Sequence, residues 1–96
     1  MLDKIRDENT DRLAEVLTCL RDKEEAYRFL SDLCTISEIT EMSKRLTAAE
    51  MLREGCTYNE IAEKTRLSTA TITRVNRALR YGSDGYLMVL DRIKEK

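Results

Sequence analysis

Helix-start signals recur along this chain, which contains no proline and only three glycines. Three pairs with the spacing of a capping box mark predicted helix starts, namely Asp22 with Glu25, Thr35 with Glu38, and Thr57 with Glu60. In such a pair the first side chain accepts a hydrogen bond from the backbone N–H of the second residue, and the second side chain reaches back. Because the apolar residues do not cluster with period two, strands are not expected. We therefore predict an all-α fold.

The apolar residues repeat at helical spacing and predict about six helices. In order, the helices cover residues 7–21, a segment that opens after Asp22, the stretch from Thr35 to Gly55, two helices within 57–80, and 86–96. The residues expected on the inward faces of the first three helices are Leu13, Val16, Leu17, Leu20, Ala26, Phe29, Leu30, Leu33, Ile39, Met42, Leu46, Ala49 and Leu52.

The length of 96 residues predicts a single domain that buries only about two-thirds of the surface of its unfolded form. The first two helices have nearly unbroken apolar stripes, and a chain this small cannot cover them all. We therefore expect an extended, interlocked homodimer in which residues 7–54 form the dimerisation scaffold. A partner subunit would add to the stability of so small a core.

The composition predicts a soluble, cytoplasmic protein. No apolar run approaches the ~20 residues that cross a bilayer, and the N-terminus does not resemble a signal peptide. The three cysteines, Cys19, Cys34 and Cys56, are widely spaced, and no histidine accompanies them. A metal site is therefore not expected, and small buried apolar residues are favoured over redox-sensing thiols.

Residues 57–80 have the pattern of a helix-turn-helix, with helices of about eight and twelve residues joined by a short turn. Ala62 supplies the small residue that two steeply packed helices require. The inward positions are expected to be Ile61, Thr65, Leu67, Ile72 and Val75. Arg66 occupies the turn position that glycine usually fills, and arginine adopts the left-handed conformation only at a cost in free energy.

Charge and side-chain size on this segment favour DNA binding, although the net charge is −1. Between Lys64 and Ser83 lie five of the 17 basic residues and none of the 18 acidic ones. Short outward side chains at the start of the second helix can approach base edges in a major groove. The predicted groove-facing residues are Ser68, Thr69, Ala70, Thr73 and Arg74. The predicted backbone contacts are Asn59, Lys64, Arg77 and Arg80.

The run Ala70 to Arg74, with Gly55 and Glu60-Ile-Ala before it, resembles the Trp repressor family. Tyr58, Thr69-Ala-Thr and the run Arg80 to Tyr86 resemble its YerC/YecD branch. The similarity extends from about Leu30 to Tyr86. It implies six helices in an intertwined dimer that sets two recognition helices about one DNA turn apart. It also implies base contacts made largely through water. The base-approaching residues would then be Thr69, Ala70, Thr71 and Thr73, with Asn59 near the backbone.

The resemblance also implies a possible effector pocket. Arg45 and Arg74 match the two arginines that enclose the indole of the family's co-repressor, and Thr35 matches a residue that faces its amino group. Val75 and Ala78 replace a glycine and a serine there, so an indole would be crowded and an ammonium less satisfied. We therefore do not expect tryptophan, and we favour surface or phosphate-contacting roles for both arginines. A different small effector stays open.

Sequence-specific binding of duplex DNA, as a transcriptional regulator of the repressor type, is the predicted function. Catalysis is not expected, because the sequence has no histidine, no clustered cysteines and no phosphate-binding loop. The alternative is a helical module that binds another protein, which the exposed apolar stripes and the acidic balance also allow. That function would not depend on Thr69, Thr73 or Arg74.

Overall fold

The computed structural model describes Leu2–Lys96, and within these residues it contains seven α-helices and no strand. The helices are α1 (Leu2–Ile5), α2 (Glu8–Leu17), α3 (Lys23–Leu33), α4 (Ile36–Arg53), α5 (Tyr58–Thr65), α6 (Thr69–Tyr81) and α7 (Gly85–Lys94). The prediction of an all-α fold is confirmed, and the count is close to the predicted six. No helix in this part of the chain is long and apolar enough to cross a membrane.

The first predicted helix, residues 7–21, is shorter in the structure. Asp7 caps α2 by accepting a hydrogen bond from the Thr10 N–H at 2.8 Å. This cap separates α2 from the short α1. After Leu17 the chain tightens, because the Cys19 N–H bonds to the carbonyl of Val16, three residues back, at 3.0 Å. The helix therefore ends four residues before the predicted boundary.

The predicted starts of α3 and α4 are confirmed. The Asp22 carboxylate accepts a hydrogen bond from the Glu25 N–H at 2.8 Å. The Glu25 carboxylate accepts from the Arg21 N–H at 2.9 Å and not from that of Asp22, so the second half of the predicted capping box is not formed. Thr35 and Glu38 form both bonds of a capping box, at 2.8 and 3.1 Å. In each case a side-chain oxygen satisfies an N–H that has no partner within the helix.

The chain divides into two compact units, one that ends at Ile39 and one that covers Thr40–Lys96. In the first unit, α1, α2 and α3 contain no buried residue. Three leucines that we predicted to face inward, Leu13, Leu17 and Leu33, are 39%, 46% and 52% exposed. The other predicted inward residues of these two helices, Val16, Ala26, Phe29 and Leu30, are half-buried, so in a single chain the apolar stripes of α2 and α3 are only partly covered. The single domain and its predicted divisions stay predictions.

The second unit contains the hydrophobic core. Its buried apolar residues come from α4, the α5–α6 segment and α7, and are Ala48, Ala49, Leu52, Ile61, Leu67, Ile72, Val75, Leu79 and Leu90. Met42 and Leu46 were predicted to face inward on α4 but are 38% and 43% exposed. The helix buries side chains only in its last turns, where Ala48 and Ala49 are small enough for close packing.

Candidate nucleic-acid interface

Helices α5 and α6 form the predicted helix-turn-helix. Thr57 and Glu60 close a capping box at the start of α5: the Thr57 N–H donates to Glu60 Oε1 at 2.8 Å, and the Glu60 N–H donates to Thr57 Oγ1 at 3.2 Å. The bond from the Thr57 N–H above all, and then the Thr57 hydroxyl, hold the pKa of the Glu60 carboxyl below its ordinary value. Ser68 caps α6 by accepting a bond from the Thr71 N–H at 3.1 Å.

The turn between the two helices is fixed by buried groups on both sides of Arg66. Thr65 is 4% exposed and Leu67 is 7% exposed. The Thr65 hydroxyl donates to the Ile61 carbonyl at 2.8 Å and accepts from the Leu67 N–H at 3.2 Å. Arg66 itself has φ 63° and ψ 17°, and its N–H bonds to the Ala62 carbonyl at 2.8 Å. The left-handed turn expected at this arginine is therefore present.

Core packing decides which face of α6 is turned outward. Ile61 of α5 and Ile72 of α6 are completely buried, and Ala62 packs against the same cluster. All five predicted inward residues of this segment are buried, namely Ile61, Thr65, Leu67, Ile72 and Val75. Because residues three and four apart share a helix face, burying Ile72, Val75 and Leu79 leaves the opposite face of α6 to solvent.

The predicted DNA-binding side chains lie on that exposed face or on nearby exposed positions. Exposed residues are Asn59, Lys64, Ser68, Thr69, Ala70, Thr73, Arg74, Arg77 and Arg80, and Thr71 is half-buried. The hydroxyls of Ser68 and Thr71 bond to each other at 3.0 Å, so part of their hydrogen-bonding capacity is used in the helix cap. The hydroxyls of Thr69 and Thr73 have no partner within Leu2–Lys96, which leaves them open to a ligand.

The basic side chains of residues 64–83 form no ion pair within the described residues. The ion pairs within the described residues are Arg6 with Asp3 and Arg53 with Asp91, and neither involves residues 64–83. Arg80 donates from Nε to the side-chain oxygen of Asn76 at 3.0 Å. Because Asn76 is neutral, this bond leaves the positive charge of Arg80 uncompensated. Arg66 is a further exposed cation, which the sequence pattern did not predict as a DNA contact although its position in the turn was visible in the sequence.

The residues of the predicted effector pocket have unequal surroundings. Arg74 and Ala78 are exposed and Arg45 is half-buried. Thr35 uses its hydroxyl to cap the next helix. Val75 is only 3% exposed and belongs to the core, because its spacing from Ile72 and Leu79 sets it on the inward stripe of α6. Its side chain therefore packs inside the unit, and the effector pocket stays a prediction.

The fold is all-α, and α5 and α6 form a helix-turn-helix in which both helix starts are capped and the turn has buried residues on both sides. The chain therefore belongs to the broad class of helix-turn-helix proteins. The particular family follows from its sequence. The model of the family described as "Trp repressor protein" matches residues 8–94, and the chain belongs to this family. The resemblance stated from the motif is thereby confirmed over nearly the whole chain.

Similar proteins support the same membership. The protein YerC of Bacillus subtilis, itself described as uncharacterized, is 53% identical over 94 residues, covering 98% of this chain and 90% of the relative. A TrpR-like protein from Eubacterium eligens has a solved structure with 49% identity and a TM-score of 0.90, and the match covers 96% of this chain and 95% of that one. A candidate Trp repressor from Staphylococcus aureus gives 42% identity and a TM-score of 0.91, covering 100% and 96%.

Proposed function

We propose that this protein is a sequence-specific regulator of transcription that binds duplex DNA through α6 as a homodimer. The observation that carries the proposal is the exposed face of α6, where the free hydroxyls of Thr69 and Thr73 stand beside Arg74. Short hydroxyls suit direct or water-mediated contacts to base edges, and arginine suits a base or a phosphate. The direction of regulation proposed is repression, the site of action is the cytoplasm, and no catalysis is assigned.

The charge of the segment supports attraction to the DNA backbone. Residues 64–83 carry five cations and no acid, while the whole chain has a net charge of −1. The acidic remainder of the chain is repelled by phosphate, so the charge distribution orients this segment toward DNA.

The uncovered apolar side chains of α2 and α3 support the dimer. Leu13 and Leu17 on one helix and Leu33 on the other are each more than a third exposed. A second copy of the chain is the partner proposed to cover them. A small effector other than tryptophan belongs to the proposal as an open element, because Val75 lies in the core and Ala78 has no hydroxyl to offer an ammonium.

Selection from a random duplex library with the purified protein, with and without amino acids, tests the proposal. We expect an enriched, roughly palindromic site, because a two-fold dimer reads two related half-sites. A dimer that makes about six phosphate contacts should lose affinity with a slope near −5 in log K against log salt. A selection that returns no enriched site under either condition would refute DNA reading.

Two substitutions, measured with the selected DNA site, test whether α6 is the recognition helix. Arg74→Ala should weaken binding roughly tenfold, since one charged contact is lost in each subunit. Thr73→Glu should abolish binding, because it sets a carboxylate against the groove. Thr40→Glu, at an exposed position of α4, introduces the same charge and should bind as the wild type does. If Thr73→Glu bound DNA with unchanged affinity, α6 would not be the recognition helix.

The second candidate function is a protein-binding module, which the exposed leucines of α2 and α3 favour. It differs from the first in its response to the same variants. A partner-dependent activity that Thr73→Glu and Arg74→Ala leave intact, together with a failed DNA selection, would establish this function in place of DNA binding.

A further inference from the structure

Arg66 has a backbone conformation that is unfavourable for a residue with a side chain. Its φ of 63° lies in the left-handed region, where the Cβ crowds the following carbonyl. Among the non-glycine residues of Leu2–Lys96, Arg66 and Asp84 share this property. Glycine adopts the conformation freely, and the chain uses Gly55, with φ 86°, just after α4. The fold of the turn therefore does not require an arginine.

The surroundings of Arg66 fix its backbone but leave its side chain free. Thr65 and Leu67, on either side, are buried and joined by a hydrogen bond of 3.2 Å. The side chain of Arg66 is exposed and takes part in no ion pair or hydrogen bond within the described residues. The guanidinium of Arg66 thus projects from a turn held by buried, hydrogen-bonded neighbours, two residues before Ser68 and three before Thr69, which begin the exposed face of α6.

We infer that Arg66 binds a DNA backbone phosphate, and that this contact offsets the strain of its backbone. The inference rests on the proposed function and adds a residue to it. A guanidinium offers a planar pair of N–H donors that matches two phosphate oxygens. Because the turn is already ordered, little backbone freedom is lost on binding. Glycine at this position would give a more stable turn with weaker binding to DNA.

The experiment compares the wild type with Arg66→Gly on the selected DNA site. The melting temperature of Arg66→Gly should rise by roughly 2–8 °C as the strain is relieved. Its affinity for DNA should fall by roughly 5- to 20-fold. The salt slope of binding should become less steep by about 2, since each subunit of the dimer loses one phosphate contact. A higher melting temperature together with weaker DNA binding is not expected of a residue with a purely structural role.

Two controls separate the contact from general charge effects. Arg66→Lys keeps the charge and the strain, so its salt slope and melting temperature should match the wild type while its affinity is intermediate. Arg92→Gln removes an exposed cation from α7 and should change affinity by less than about twofold.

The outcomes are distinguishable. If Arg74→Ala weakens binding while Arg66→Gly retains the wild-type affinity and salt slope, the phosphate contact is overturned and the proposed function stands. If Arg66→Gly melts at or below the wild-type temperature, the inference that the backbone of Arg66 is strained is refuted. A wild-type protein that selects no DNA site overturns the contact and the proposed function together.

Discussion

The three glycines of the chain lie at helix ends in the second unit, and the backbone requires glycine at only two of these positions. Gly55 needs its φ of 86°, which glycine adopts freely. Gly82 has an ordinary φ of −85°, but a Cβ added there would collide with the backbone carbonyl of Ala78. Gly85, the first residue of α7, has open space around the position of a Cβ. The chain therefore needs glycine at the first two positions and not at the third.

Gly82→Ala should destabilise the protein by about 1–3 kcal/mol, because the obstacle is backbone and the end of α6 must shift. Gly85→Ala is the matched control and should be neutral or stabilising by up to about 1 kcal/mol, since alanine suits a helix better than glycine. Urea unfolding of both variants measures the difference. Equal stability of the two variants would contradict the close approach of Gly82 to Ala78.

At the scale of helices and turns, capping side chains set where the elements begin. Helices α2, α4 and α5 each start with a reciprocal pair of hydrogen bonds between a capping side chain and a residue three positions on. In all three pairs a carboxylate accepts a backbone N–H, and its pKa lies below the ordinary value for that reason. The caps are therefore sensitive to acid.

The cap of α5 predicts a pH dependence of stability. The pKa of Glu60 is lowered in the folded state by the bond from the Thr57 N–H, so its contribution is present above the unfolded value of about 4.3 and is lost as the pH falls through the lower folded value. Glu60→Gln keeps an acceptor oxygen and removes the titration. The stability difference between wild type and variant should therefore shrink below about pH 4.

Urea midpoints measured at pH 6, 4 and 3 test this prediction. Asp7 and Glu38 titrate in both proteins and cancel in the comparison. Parallel pH profiles of the wild type and Glu60→Gln would show that the Glu60 cap contributes nothing to stability.

At the scale of the whole molecule, buried surface is distributed unevenly along the chain. Within Leu2–Lys96, every residue of the buried core lies in the second unit, whereas α1, α2 and α3 bury none. Ordering a backbone residue costs about 1–2 kcal/mol, so helices that bury little are not stable alone. This imbalance is the physical reason for proposing a second copy of the chain as their partner.

The proposed dimer predicts a melting temperature that depends on protein concentration. Each tenfold dilution should lower it by roughly 3–6 °C, because association and folding are linked. Leu17→Glu should shift the protein toward monomer in sedimentation, since it sets a charge on the apolar stripe of α2. Asn9→Glu adds the same charge at an exposed polar position and should remain dimeric. A monomeric wild type with a concentration-independent melting temperature would refute the dimer.

The sequence by itself determined the local structure. Caps such as Asp22 and Ser68, the turn at Arg66 and the inward stripe of α6 were readable because they depend on residues three or four positions apart. The early end of α2 at Leu17 was missed, because the apolar stripe continues past the point where the hydrogen-bond pattern tightens.

Only the tertiary structure decided which apolar faces are buried. Met42 and Leu46 belong to the same predicted apolar stripe of α4 as Leu52, yet Leu52 is buried and the other two are exposed. Periodicity shows that a helix has an apolar face, but burial depends on what packs against that face. For the same reason Val75, predicted both as an inward residue and as part of an effector pocket, was assigned to the core only by the packing of α6.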